Sequence, residues 1–140
     1  MRPYNRALTM KAIFLFFYNH KKRTTWIAAL WTLMILVACL IPGRDVPDVD
    51  VPFADKWVHF IIFAGFSFLW TCTFKQTGWR AGLITGILSV LLGYAVELLQ
   101  GSGITEGRSY DLYDLLADSV GGMLGLLLFF LLYRHARQTQ

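Results

Sequence analysis

Charge is what this chain has little of: 16% of its 140 residues are charged, against 56% that are hydrophobic. A soluble domain of this size needs a larger charged share to cover its surface, so water alone is excluded as its solvent. Cysteine is scarce as well, at two residues, which excludes a disulfide scaffold. Cys39 and Cys72 fall near opposite ends of two successive apolar runs. A disulfide needs Cα atoms within about 7 Å, so both read as packing residues. Long polar tracts are missing, which excludes intrinsic disorder. There is no P-loop, no dinucleotide fingerprint, no Ser-His-Asp order, and no HExxH, CxxC or paired-histidine spacing, so neither a metal nor a cofactor is expected. Acids are missing from both ends of the chain: none precedes Asp45 and none follows Asp118.

What is present is a set of long apolar runs. A hydrocarbon core about 30 Å thick takes roughly 20 residues of helix at about 1.5 Å per residue. Runs over 24–41, 57–74, 81–99 and 115–133 meet or approach that length. None alternates as a membrane β-strand would. The expected fold is all-α, an integral membrane four-helix bundle. Ahead of it, Ala12 to Tyr18 is apolar and aromatic but too short to span. Lys11 precedes it, the run His20-Lys21-Lys22-Arg23 follows it, and no small-residue cleavage site is visible. The segment therefore reads as a short interfacial helix with Phe14, Phe16 and Phe17 inserted into the membrane, or else as a frayed tail. The expected organisation is a basic cytoplasmic segment over 1–23, a membrane domain over 24–133 and a cytoplasmic tail over 134–140.

The basic residues orient the bundle. With both termini in the cytoplasm, that side holds Arg2, Arg6, Lys11, Lys21, Lys22, Arg23, Lys75, Arg80, Arg134 and Arg137, while only Arg44, Lys56 and Arg108 lie opposite. This is the positive-inside bias of a plasma-membrane protein, and the basic clusters would meet anionic lipid headgroups. The net charge of +4 is thus a topology signal, with no nucleic-acid partner implied. All nine acids fall in outer loops or the outer parts of helices. A polar site in this bundle would open outward.

Three polar groups interrupt the apolar pattern at outer helix ends. Asp55-Lys56-Trp57-Val58-His59-Phe60 opens the second run, with Asp55 and His59 on one face. Taken alone, this group reads as a helix cap and an interfacial histidine. Glu97 and Gln100 close the third run, and Glu97 shares a face with Gly93, Ser89, Gly86 and Gly82, small residues that let helices approach closely. An interfacial acid reaching water is the alternative. Asp111, Asp114 and Asp118 lie at i, i+3 and i+7, on the stripe that continues through Gly121, Gly122 and Gly125. Asp111 and Asp114 can be helix caps, but Asp118 lies about 10 Å deeper, and an acid on a close-packed face within a span marks a functional site.

Packing the two glycine faces together predicts that Glu97, Arg108, Asp114 and Asp118 converge in one outward-opening pocket, with Asp55, Lys56 and His59 on its rim and Arg108 as counter-charge. Crowded carboxylates in a partly dry site raise a pKa or take up a cation. The pattern Asp55-Lys56-x-x-His59-Phe60, then Glu97-x-x-Gln100, then Arg108 followed by Asp114, Asp118 and the glycines, resembles the VanZ-like membrane proteins, over about residues 41 to 125. The resemblance singles out Asp55, Lys56, His59, Glu97, Gln100, Arg108 and Asp114. At the position of Asp118 the family more often carries Asn, so an acid here adds charge to the cluster. The family takes its name from a protein linked to teicoplanin resistance, which implies a role in the response to glycopeptides or envelope stress. Two mechanisms follow. In one, Asp55, Lys56, His59, Gln100 and Arg108 bind the headgroup of a membrane lipid or cell-wall precursor lipid. In the other, Glu97, Asp114, Asp118 or His59 performs acid/base catalysis on a lipid-linked substrate. A proton-coupled transporter is disfavoured by four spans without an inverted repeat. A homodimer is compatible with so small a core.

Overall fold

The computed structural model describes residues 3–45, 50–74 and 78–138. Among them the protein is all-helical: α1 (Pro3–Asn19), α2 (Lys21–Leu40), a 3-10 turn (Gly43–Asp45), α3 (Ala54–Thr73), α4 (Trp79–Gly101) and α5 (Leu112–Gln138). Three of these, α2, α4 and α5, are long and apolar enough to cross a membrane. Helix α3, which covers the second expected run, is not among them. It carries Asp55, Lys56 and His59 in its first two turns. The reason lies in its position. It packs against α2, α4 and α5 at once, most extensively against α5, and so has less need of an apolar surface than its neighbours.

The bundle is apolar outside and, beside an apolar core around Ile35, Phe63, Val96 and Phe129, carries many of its polar residues inside. Only 22%, 33% and 28% of the apolar windows of α2, α4 and α5 are buried, leaving residues such as Leu30, Leu33, Leu83, Ile87, Met123 and Leu127 facing outward. Buried positions include Thr24, Ser67, Thr71, Thr85, Ser89, Glu97, Gln100 and Asp118. That is the reverse of a water-soluble helical domain and matches helices solvated by hydrocarbon.

Two helices run parallel at the centre. Gly121 of α5 lies against the Phe60 carbonyl of α3, and Gly125 against the Ala64 carbonyl. One turn further, Phe68 and Phe129 meet edge to face with ring centroids 6.3 Å apart. The four-residue step on both helices keeps this seam in register, so small residues bring the two backbones close. The two small-residue faces expected to meet do so in part, with Gly93 of α4 against Asp118 and Ser89 against Gly122 of α5. Gly82 of α4 accommodates Phe130 and Gly86 faces Leu126, while the Gly121–Gly125 pair is taken up by α3. Gly82, Gly86 and Gly93 on α4 receive side chains, as does Gly122 on α5; Gly121 and Gly125 receive backbone.

At the basic end, Phe14 is 1% exposed and packs with Phe68, Phe129, Cys72 and Ala136. The expected insertion of Phe14 into the membrane is therefore corrected: it anchors α1 to the bundle. Phe16 is exposed and Phe17 half-buried. The chain breaks between α1 and α2 at His20, whose Nδ1 lies 2.8 Å from the Phe16 carbonyl. Lys21 then reaches across to donate to the Cys72 carbonyl at 2.6 Å. Both cysteines are free.

Candidate functional site

Parallel packing of α3 on α5 lays one polar stripe on another. Lys56, in the first turn of α3, donates to Asp55 at 2.7 Å, to Asp111 at 2.8 Å and to Asp114 at 2.9 Å. Asp111 sits just ahead of α5, where its Oδ1 accepts the Tyr113 N–H at 2.8 Å while its Oδ2 takes Lys56. It caps the helix and joins the ion cluster together. These hydrogen bonds, that from Lys56 foremost, hold the Asp111 carboxyl below the usual carboxylate range. Asp111 is a residue of the site that the expected convergence of Glu97, Arg108, Asp114 and Asp118 leaves out. The signal that could have found it was there, since Asp111 opens the i, i+3, i+7 stripe.

One turn deeper lies a buried trio. His59 Nδ1 and Asp118 Oδ1 are 2.9 Å apart. Glu97 arrives from α4, its Oε2 accepting the backbone N–H of Asp111 at 2.7 Å. Relative exposure is 4% for His59 and 0% for both Glu97 and Asp118. Gly93 makes the room: a Cβ there would sit 2.7 Å from Asp118 Oδ2. His59 is thus not on a rim, as expected, but at the floor of the cluster. The site-facing polar line continues into the bundle through Ser67 and Ser89, whose hydroxyls flank Gly122.

The remaining predicted residues sit at the periphery. Gln100 is buried and donates to the Cys39 carbonyl at 2.7 Å, tying α4 to the end of α2. Arg108 makes a long 3.4 Å bond from Nε to the Ile41 carbonyl. Among the described residues no carboxylate lies within ion-pair distance of it. The expectation that Arg108 neutralises the acids is corrected: Lys56 does so, because it enters on the stripe that faces them. Among the described residues, two cavities flank the acids. One of about 200 Å³ is lined by Ala38, Cys39, Val58, His59, Asp55 and Arg108, among others. The other, about 520 Å³ and almost wholly apolar, runs between α3 and α5 past Phe53, Lys56, Trp57, Phe60, Tyr113 and Leu116.

All of the polar residues singled out in the sequence therefore gather at one end of one bundle. A scan against protein-family models matches the VanZ/LLP1 family over residues 8–133. The chain belongs to the VanZ/LLP1 family. No curated protein and no solved structure gives a match. The region matched to the VanZ/LLP1 family includes every residue of the cluster, with α1 from residue 8 onward. In this family member the cluster has two tiers: an outer tier in which one ammonium holds three carboxylates, and an inner, dry tier of one imidazole and two carboxylates. The outer tier is built to fix α3 against α5. The inner tier has the groups for proton transfer or cation binding, and its His59 edge is reached from the smaller cavity.

Proposed function

We propose that this VanZ/LLP1 protein is a four-span protein of the bacterial plasma membrane, with both termini in the cytoplasm. Its acidic end faces outward and binds the anionic headgroup of an envelope lipid or cell-wall precursor, altering sensitivity to teicoplanin-type glycopeptides or envelope stress. Helix α3 serves as the fourth span: at 20 residues it has the length, and beyond its first turn His59, Ser67 and Thr71 turn into the bundle instead of toward lipid. Exposed Phe53, Trp57 and Tyr113 at one end and Trp26 and Trp79 at the other suit the two aromatic belts of a membrane protein.

The observation that carries the binding reading is Arg108, a guanidinium with no carboxylate partner among the described residues, at the wall of the 200 Å³ cavity. An arginine so placed suits a phosphate oxygen. Lys56 does not, because three carboxylates already occupy its donors. Its neighbouring apolar cavity instead gives an acyl chain somewhere to lie. Purified wild type should retain an anionic precursor lipid, and Arg108→Gln should retain about tenfold less while Arg108→Lys recovers part of it. Teicoplanin sensitivity of a deletion strain should follow the same order. Equal retention and equal sensitivity in all three would overturn the binding reading.

A second reading, an acid/base enzyme acting on a lipid-linked substrate, is favoured by the His59–Asp118 pair beside Glu97, a histidine held by one carboxylate with another in reach. Glu97→Gln keeps shape and removes the ionisable group. A lipid species that accumulates or vanishes with Glu97→Gln, in mass spectra of whole-cell lipids, would select the enzyme over the binder.

A further inference from the structure

We propose that His59, Glu97 and Asp118 are the protein ligands of a divalent transition-metal ion of the zinc or manganese class, held at the dry inner tier of the cluster. The proposal stands independently of any lipid reading. Each of the three offers one ligand atom, and these atoms lie within 4.8 Å of one another. They come from three helices, α3, α4 and α5, which is why no local spacing motif announces them.

The second observation is a pair of orphan oxygens. Glu97 Oε1 and Asp118 Oδ2 are buried and have no hydrogen-bond partner among the described residues. Asp118 Oδ2 lies against Gly93, one turn along α4 from Glu97 and on the same helix face, and is buried from solvent. A buried carboxylate oxygen without a donor is costly, and a cation is what such oxygens commonly hold. Charge balance points the same way. Even with a protonated imidazole the ionised trio carries a net negative charge, and the nearby ammonium of Lys56 is engaged by Asp55, Asp111 and Asp114. A divalent ion with neutral His59 brings the trio to zero. The outer acidic group of Asp55, Asp111 and Asp114 differs in this respect, since Lys56 Nζ already occupies its centre.

One of the three spacings is already close to that of a metal site, and the others, within 4.8 Å, would draw in on binding. His59 Nδ1 and Asp118 Oδ1 are 2.9 Å apart, whereas bonds of about 2.0–2.1 Å to a tetrahedral ion place two ligands about 3.3 Å apart. One nitrogen and two carboxylates suit zinc or manganese better than calcium, and three protein ligands leave a position open for water. The Asp111 N–H fixes Glu97 by its other oxygen, the outer support that metal-binding carboxylates ordinarily have.

The test uses full-length protein purified in detergent, stripped with chelator and dialysed against micromolar Zn²⁺ or Mn²⁺. Mass spectrometry of the washed protein should find about one ion per chain. His59→Gln and Asp118→Asn should each weaken retention at least about tenfold, while Glu106→Gln, on an exposed ion pair with Arg44, should not. X-ray absorption on zinc-loaded wild type should show one imidazole, oxygen ligands and no sulfur, which decides the matter even if a variant fails to fold. Wild type that stays metal-free, or a bound ion with sulfur or several imidazole ligands, would overturn the proposal. So would an ion retained fully by folded His59→Gln.

Discussion

A single missing methyl group determines whether Asp118 can lie where it does. Gly93 is buried on α4, and a Cβ there would approach Asp118 Oδ2 to 2.7 Å and its Cβ to 3.0 Å. Asp118 has no slack to give, because its other oxygen is engaged with His59 at 2.9 Å. Gly93→Ala should therefore cost about 1–3 kcal/mol, as overpacking of a tight core does, and should separate Asp118 from His59. Gly78→Ala, with nothing within 4 Å, should be neutral within about 0.5 kcal/mol. Thermal unfolding in detergent, with the His59 ring followed by NMR, checks both. An unchanged midpoint for Gly93→Ala would mean that Asp118 is not pinned. At this scale the sequence disclosed residue types and missed their partners. That Glu97 and Asp118 belonged together was readable from their small-residue faces. That Lys56 and not Arg108 would take the outer carboxylates was not, because it depends on which helix lies next to α5.

The same limit explains the element-scale error. Gly82, Gly86 and Gly93 on α4 and Gly121 and Gly125 on α5 share one pattern in sequence, yet they do different things. These two α5 glycines sit under α3 backbone: a Cβ at Gly121 would come within 2.9 Å of Phe60 Cα, and one at Gly125 within 3.1 Å of Ala64 Cα. On α4, a Cβ at Gly86 would meet only Leu126 Cδ1, at 3.3 Å. Spacing reports that a face is close-packed; it does not say whether the neighbour is backbone or side chain. Backbone cannot yield, whereas a leucine methyl can rotate. Gly121→Ala should consequently lower stability by more than about 2 kcal/mol and loosen Lys56 from Asp114, and Gly86→Ala should cost under about 1 kcal/mol. Denaturation of the two purified variants, compared side by side, decides it; similar losses in both would remove the distinction between the two kinds of glycine. Element positions themselves were legible, since apolar length and terminal charge suffice to place a helix. The orientation of Phe14 was not, as seven apolar aromatic residues look the same whether they face lipid or protein.

For the whole molecule, the decisive property is that charge sign separates along the bundle. Arg44, Lys56, Glu106 and the acidic cluster crowd one end. At the other, Lys21 crosses to the Cys72 carbonyl, and Arg80, Arg134 and Arg137 flank the ends of α4 and α5. Helix α5, at 27 residues, is about 40 Å long at 1.5 Å per residue, about 10 Å more than the hydrocarbon core needs. Its basic last turns can thus stand clear of the membrane on the side where positive charge is retained. Since α3 and α5 run parallel with α4 returning between them, the number of crossings fixes the orientation. If α3 crosses, both termini share one side, and the acidic cluster faces the opposite one. If α3 does not, the chain after Thr73 remains on the side where α3 began, and the two polar tiers can no longer both sit at one membrane face. Reporter enzymes fused after Arg44, Gln76, Gly103 and Gln140 should read outside, inside, outside and inside. A Gln76 fusion that reads outside would remove α3 as a span, and with it the outward-facing site on which the headgroup reading depends.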